Sequence, residues 1–352
     1  MKQKTDGIAM ITIYQEVCKR LEQIDFEALW PQFHSYPFAL YTKKEAVMNG
    51  VYFSTPASFY GNTAILWNGQ RTAIWNIELD PPKSLDHLTA DLVHEMFHAF
   101  QTERGERRFP NDLTLFAATQ TAESLSWKIW ERNLLADGAP LPQFCAARLE
   151  RRNNPLTREE ELVETAEGIA QFVELRALGQ LSDSLLLDSL ERCRMHLRDA
   201  SRAVDVRRCG YDSGMYMLWR ATESGMNIYH NIGQEVRSVF EFLSHQIPGI
   251  PHAVLPDESV SETAAILLRR QRQQQNAEMA GFLQTTPRRV NGPFEICGYD
   301  PMNMWRQENI LFSRGFVALK NAYGEITPMQ GNVLLNMEAG SDHIAVDYFI
   351  SE

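Results

Sequence analysis

The spacing of apolar and polar residues changes along this chain, and the changes predict its elements. Ile8, Ile11, Val17, Leu21, Ile24 and Leu29 form an imperfect helical stripe. One amphipathic helix is expected over 8–30, ended by Pro31 and Pro37. Residues 38–41 read as a short strand, and 51–54 as another. Residues 63–67 and 72–77 are β-rich runs joined by Asn68-Gly69-Gln70-Arg71, a strong hairpin signal. Ser84 to Arg104 then contains neither Pro nor Gly, which predicts a helix. Ser84 is placed as its N-cap and Asp86 complements its dipole.

Helical spacing dominates the middle. Helices are expected from Asp112 to about Leu134, and from about Glu159 to Leu178 with Gly179 as C-cap. Three more are expected at 182–203, 212–225 and 227–246, the last stopped by Pro248. Ser259 and Glu262 fit a capping box, with a helix following to about Leu283. Its basic stretch, Arg269 to Gln275, reads as a solvated face. From Arg288 short β-like runs alternate with Gly and Asn turns. The fold class is therefore α+β. An N-terminal sheet-bearing lobe is expected at 1–110, a helical lobe at 111–285, and a small β module at 286–352.

Composition narrows the classes. The 352 residues are 44% hydrophobic and 22% charged, which is ordinary for a globular protein of two or three domains. The net charge of −11 argues against nucleic acid as the main partner. Five cysteines, an odd number with no C-x-x-C pair, argue against a disulfide framework and a Cys-rich zinc site, and fit a reducing compartment. The N-terminus has no signal-peptide core, and no apolar run is long enough for a membrane span. A cytoplasmic location is expected.

The chemistry centres on His94-Glu95-Met96-Phe97-His98, an H-E-x-x-H pattern. On a helix, positions i and i+4 share a face, so both imidazoles can reach one zinc ion. Glu95 follows the first ligand, where a carboxylate serves as general base toward water. Chance also produces such a pattern, leaving a mere polar patch. Yet a His-Glu pair amid the apolar positions of a buried helix costs free energy unless partnered. No nucleophile elbow and no phosphate-binding glycine loop occurs.

A catalytic zinc takes a third protein ligand. No further H-x-x-G-x-x-H follows His98, so another helix is expected to supply it, as a carboxylate. Glu123 and Glu167 are the candidates. Glu167 is favoured because it lies amid Gly168, Ile169 and Phe172, and because small Ala166, Gly168 and Ala170 would let its helix approach the H-E-x-x-H helix. Glu160, Glu164, Glu167 and Glu174 share roughly one face, whereas Glu159 to Glu161 read as solvent-facing. Asp91 is placed either to orient an imidazole or to pair with Lys83 or Arg104. His196 and His230 are candidates to bind the transition state, yet a lone His on a helix is more often structural.

HEMFHAFQ followed by the helix EGIAQFVE resembles the gluzincin metallopeptidases, and more narrowly bacterial zincin-like families carrying EGxAxYxE. Phe172 stands where that pattern has Tyr. The resemblance implies a zincin-like core, with a sheet edge beside the substrate cleft. It implies zinc held by His94, His98 and Glu167, Glu95 as catalytic base, and Glu174 as a supporting residue. Such families often continue with Tyr-x-x-Gly, here Tyr211 to Gly214. Tyr211 is then a donor to an oxyanion, with Tyr216 as its competitor. The expected function is a zinc-dependent metallopeptidase acting on a peptide substrate. The alternatives are a zincin-fold binding or scaffold protein without turnover, and a zinc amidohydrolase acting on a non-peptide amide.

Overall fold

Two Asn-Gly turns fold the N-terminal sheet of the computed structural model, which describes residues 9–351. After α1 (Met10–Leu21) and α2 (Phe26–Leu29) come β1 (Phe38–Tyr41), β2 (Glu45–Met48), β3 (Val51–Ser54), β4 (Thr63–Trp67) and β5 (Gln70–Asn76). Asn49-Gly50 closes β2 onto β3, and Asn68-Gly69 closes β4 onto β5; all four residues take positive φ. That is the geometry of a two-residue I′ turn, which matches the twist of the strands. The order is β3-β2-β1-β5-β4, with β1 and β5 parallel. Neither β2 nor the hairpin at Asn49-Gly50 was predicted, although Asn-Gly is a hairpin signal. The single helix expected over 8–30 is broken instead, because the Asp25 carboxylate accepts from Ala28 N and starts α2 afresh.

α3 (Leu85–Glu103) packs against β4 and β5. The helices that follow are α4 (Asp112–Ala117), α5 (Ala122–Ala136), α6 (Leu141–Arg151) and α7 (Leu156–Val163). A π-helical turn (Glu164–Gly168) leads into α8 (Ile169–Leu181). Then come α9 (Asp183–Arg198), a 3₁₀ turn (Ala200–Val204), α10 (Arg208–Glu223), α11 (Val239–Ser244) and α12 (Glu258–Gln284).

Local polar chemistry moved several predicted boundaries. The helix expected from Asp112 is split, since Thr121 caps α5 through Ser124 N. α6 was not predicted. Gly179 does not end α8, which runs to Leu181. The helix expected over 227–246 is only α11, fixed by a reciprocal capping box between Ser238 and Glu241. The box expected at Ser259 is not formed, and Asp257 stands at the N-cap of α12.

The C-terminal residues fold into β6 (Arg288–Tyr299), β7 (Met304–Gln307), β8 (Ile310–Ser313), β9 (Phe316–Lys320), β10 (Ile326–Gln330), β11 (Val333–Met337) and β12 (Ile344–Ile350). They make an antiparallel sheet in the order β10-β9-β6-β12-β11-β8-β7. The β module expected after 286 is this sheet, and the protein is α+β.

The chain divides into two units. One comprises the described residues up to Phe109 together with Glu164–Met195 and Asp212–Gln246. The other comprises Pro110–Val163, His196–Tyr211 and the described residues from Ile247 onward. No described helix is long and apolar enough to cross a membrane, and no disulfide joins the described cysteines.

Candidate metal centre

Ser84 starts α3 as expected, accepting from His87 N at 3.2 Å. Leu88, Leu92, Val93, Met96, Phe97 and Phe100 are buried along the helix. Phe97 meets Trp30 and Phe33 edge-on, with centroids 5.7 and 5.2 Å apart. Each such side chain contributes about 1.5–3 kcal/mol through burial, so the helix is held firmly in register. That register puts His94 and His98 on the side facing α8 and the π-helical turn.

Three donor atoms converge there. His94 Nε2 and His98 Nε2 are 3.1 Å apart. Glu167 Oε2 is 3.1 Å from His98 Nε2 and 3.6 Å from His94 Nε2. A tetrahedral zinc with bonds of about 2.0–2.1 Å sets its ligand atoms roughly 3.3 Å apart. The observed separations straddle that value, so these three residues fit the ion. They form the one candidate metal group among the described residues.

The imidazoles are also held in the tautomer a metal needs. Glu174 Oε2 accepts from His94 Nδ1 at 3.0 Å, and Gln101 Oε1 accepts from His98 Nδ1 at 2.8 Å. Gln101 Nε2 donates to Ala166 O at 3.2 Å, which leaves its carbonyl oxygen for the imidazole. Both Nδ1 atoms thus carry protons, so each Nε2, the atom nearest the Glu167 carboxylate, is the one left to bind a metal. Glu174 was expected near the site. Gln101 was missed, although its i+3 spacing from His98 on α3 is readable.

The electrostatics follow from burial and carboxylates. Burial alone would depress His94, but hydrogen bonds to Glu167 and Glu174 outweigh it and hold the imidazole well above its usual range. His98 is raised for the same reason, with burial opposed by Glu167. Burial raises Glu95, against the pull of His94 and His98. Glu95 is buried, and its carboxylate hydrogen-bonds no described residue. Burial, with Glu174 nearby, pushes Asp91 up to about 8. Asp91 makes neither expected contact: Glu174 takes the imidazole proton instead, and no ion pair forms with Lys83 or Arg104.

The π-helical turn positions Glu167. Such turns occur often at functional sites because they re-aim a side chain within a helix. Gly168 was expected to admit α3. It admits α10 instead: a Cβ at Gly168 would lie 2.6 Å from Gly214 Cα. Beside it, Ser213 Oγ donates to Glu164 Oε1 at 2.6 Å.

The other candidates are not part of this donor set. Glu123 is exposed in the first turn of α5, in the second unit. Tyr211 is half-buried in the first turn of α10, also in the second unit. Tyr216 is half-buried farther along α10. His230 faces Trp30 and lies 2.9 Å from Arg108 Nη2. Burial and Arg108 push it down to about 4, in keeping with a structural role. His196 accepts from Arg132 through its main-chain oxygen at 2.7 Å. Glu160 and Glu161 are buried rather than solvent-facing. Glu160 pairs with Lys128 at 2.5 Å and with Arg151, and Glu161 with Arg152 at 2.9 Å.

No family model, no curated protein and no solved structure matches this chain.

Proposed function

We infer that this protein is a zinc-dependent hydrolase with a zincin-like core, acting on peptide amide bonds. The observation that carries the reading is the approach of His94 Nε2, His98 Nε2 and Glu167 Oε2 to within 3.1–3.6 Å of one another. When bound there, zinc supplies the Lewis acidity that makes water able to lose a proton near neutral pH.

The chain's own groups do the rest. Glu174 and Gln101 hold the Nδ1 protons, so the imidazoles cannot turn or change tautomer. Glu95, next to His94 and free of hydrogen-bonded partners among the described residues, takes the proton released by the attacking water. It then delivers that proton to the departing amine nitrogen as the C–N bond breaks. Burial raises the affinity of Glu95 for that proton, which suits a group that must accept and return it.

A quenched-fluorescent peptide library tests this. The zinc-reconstituted protein should cleave members of it, and Glu95→Gln should not. Cleavage of simple non-peptide amides alone would move the substrate class. No turnover of either, with zinc bound, would leave a binding protein.

A further inference from the structure

The seven-stranded sheet has two edges, β10 and β7. β10 carries Pro328, which lacks an N–H and blunts that edge against pairing. β7 has no such block. Arg314 N donates to Asn303 O at 2.8 Å, which sets the phase of the β7–β8 ladder. Antiparallel pairing alternates from that bond. Trp305 and Gln307 therefore bond toward β8, while the main-chain N–H and C=O of Met304 and Arg306 face away from the sheet.

Those groups border a groove of about 580 Å³ within the second unit. Leu115 and Phe116 of α4 and Leu268 of α12 give it apolar walls. Arg208, Arg272, Arg306 and Arg314 line it, against the carboxylates of Asp205 and Glu308. Arg208 is paired with Asp205 at 3.3 Å, and Arg314 with Glu278 at 2.5 Å. Arg272 and Arg306 form no ion pair among the described residues. Arg306 donates through Nε to Glu308 O and through Nη2 to Ser341 O. Its Nη1 is buried without a hydrogen-bond partner, as is Gln307 Oε1. The hydrogen bonds of this cation go to main-chain oxygens, and no carboxylate among the described residues is hydrogen-bonded to it.

We propose that β7 is a strand-addition site for an extended acidic peptide. Main-chain bonds to Met304 and Arg306 supply the pairing, and glutamate or aspartate side chains meet Arg306 and Arg272. The four residues of β7 span about 13 Å, so the contact covers a short segment. The stretch Arg269 to Gln275 on α12, which reads as a solvated face, supplies one wall of this groove through Gln271, Arg272, Gln274 and Gln275. A second copy of the chain is the wrong occupant, since β7 (Met304-Trp305-Arg306-Gln307) brings no carboxylate to meet Arg306. Nucleic acid would use the arginines but leave the strand edge unpaired.

The test uses the whole protein and a fluorescent eight-residue peptide of alternating threonine and glutamate. Saturable binding is expected, at least tenfold weaker for the threonine–lysine version. Binding should also be lost when alternate amides along one edge of the peptide are N-methylated. R272E, at an exposed position, should weaken binding about tenfold while leaving the melting temperature near that of the wild type. R306Q should weaken binding as much but also lower the melting temperature, since it loses the bonds to Glu308 O and Ser341 O. Equal binding of the N-methylated peptide would overturn strand addition. So would failure of the acidic peptide to bind, or binding of a single-stranded oligonucleotide in its place.

Discussion

Gly168 and Gly214 touch backbone to backbone. A Cβ on Gly168 would lie 2.6 Å from Gly214 Cα, and one on Gly214 would lie 2.6 Å from Glu164 O. No side-chain rotation relieves a clash with main chain. Only glycine lets α10 approach the π-helical turn this closely, and that turn carries Glu167. Gly168→Ala and Gly214→Ala should each destabilise the protein by about 1–3 kcal/mol. Metal affinity should fall with them, as a loss of metal from protein that remains folded by circular dichroism. Metal retained at full affinity in a destabilised Gly168→Ala would separate the packing from the site.

Glu174 and Gln101 act through the imidazoles they hold. Glu174→Gln and Gln101→Leu should lower zinc affinity roughly 10–100-fold without abolishing binding. Competition against a chromophoric chelator measures this. Glu123→Ala should leave the affinity unchanged.

Glu95→Gln should keep its zinc and lose roughly 10²–10⁴-fold in hydrolysis, the usual contribution of a general base. A variant that loses both metal and activity would mean that Glu95 holds the site together rather than moving a proton.

The buried charges of the second unit carry a pH signature. Burial alone would raise Glu160, but Lys128 and Arg151 overcome it and hold the carboxyl down at about 2. A depressed carboxylate contributes stability above its unfolded value and loses it as pH falls toward the folded one. Stability should therefore decline between about pH 4.5 and 2, by on the order of 3 kcal/mol from this residue. Glu160→Gln should be destabilised at neutral pH, because it strands Lys128 and leaves Arg151 only its pair with Glu131, and its decline over that range should be shallower. Thermal melts of both proteins across the range check the sign.

Much of this was readable from residues alone. Asn68-Gly69 announced its hairpin because few other pairs tolerate two positive φ values. His94 and His98 announced a shared face, and Ser84 its cap. What was hidden depended on partners distant in the chain. Glu160 and Glu161 looked solvent-facing until Lys128, Arg151 and Arg152 were placed against them. Gly168 signalled close approach but not to which helix. Residues 227–238 kept an apolar spacing, yet local side-chain bonds such as Asn227 Oδ1 to Tyr229 N hold the segment out of a helix.

Metal content decides whether His94, His98 and Glu167 hold zinc. Wild type, Glu123→Ala and Glu167→Ala would be purified, stripped, reconstituted with zinc and weighed by native mass spectrometry. About one zinc per chain is expected in the first two and none in Glu167→Ala. Zinc retained by Glu167→Ala, or a wild type that takes up none after reconstitution, would contradict that site.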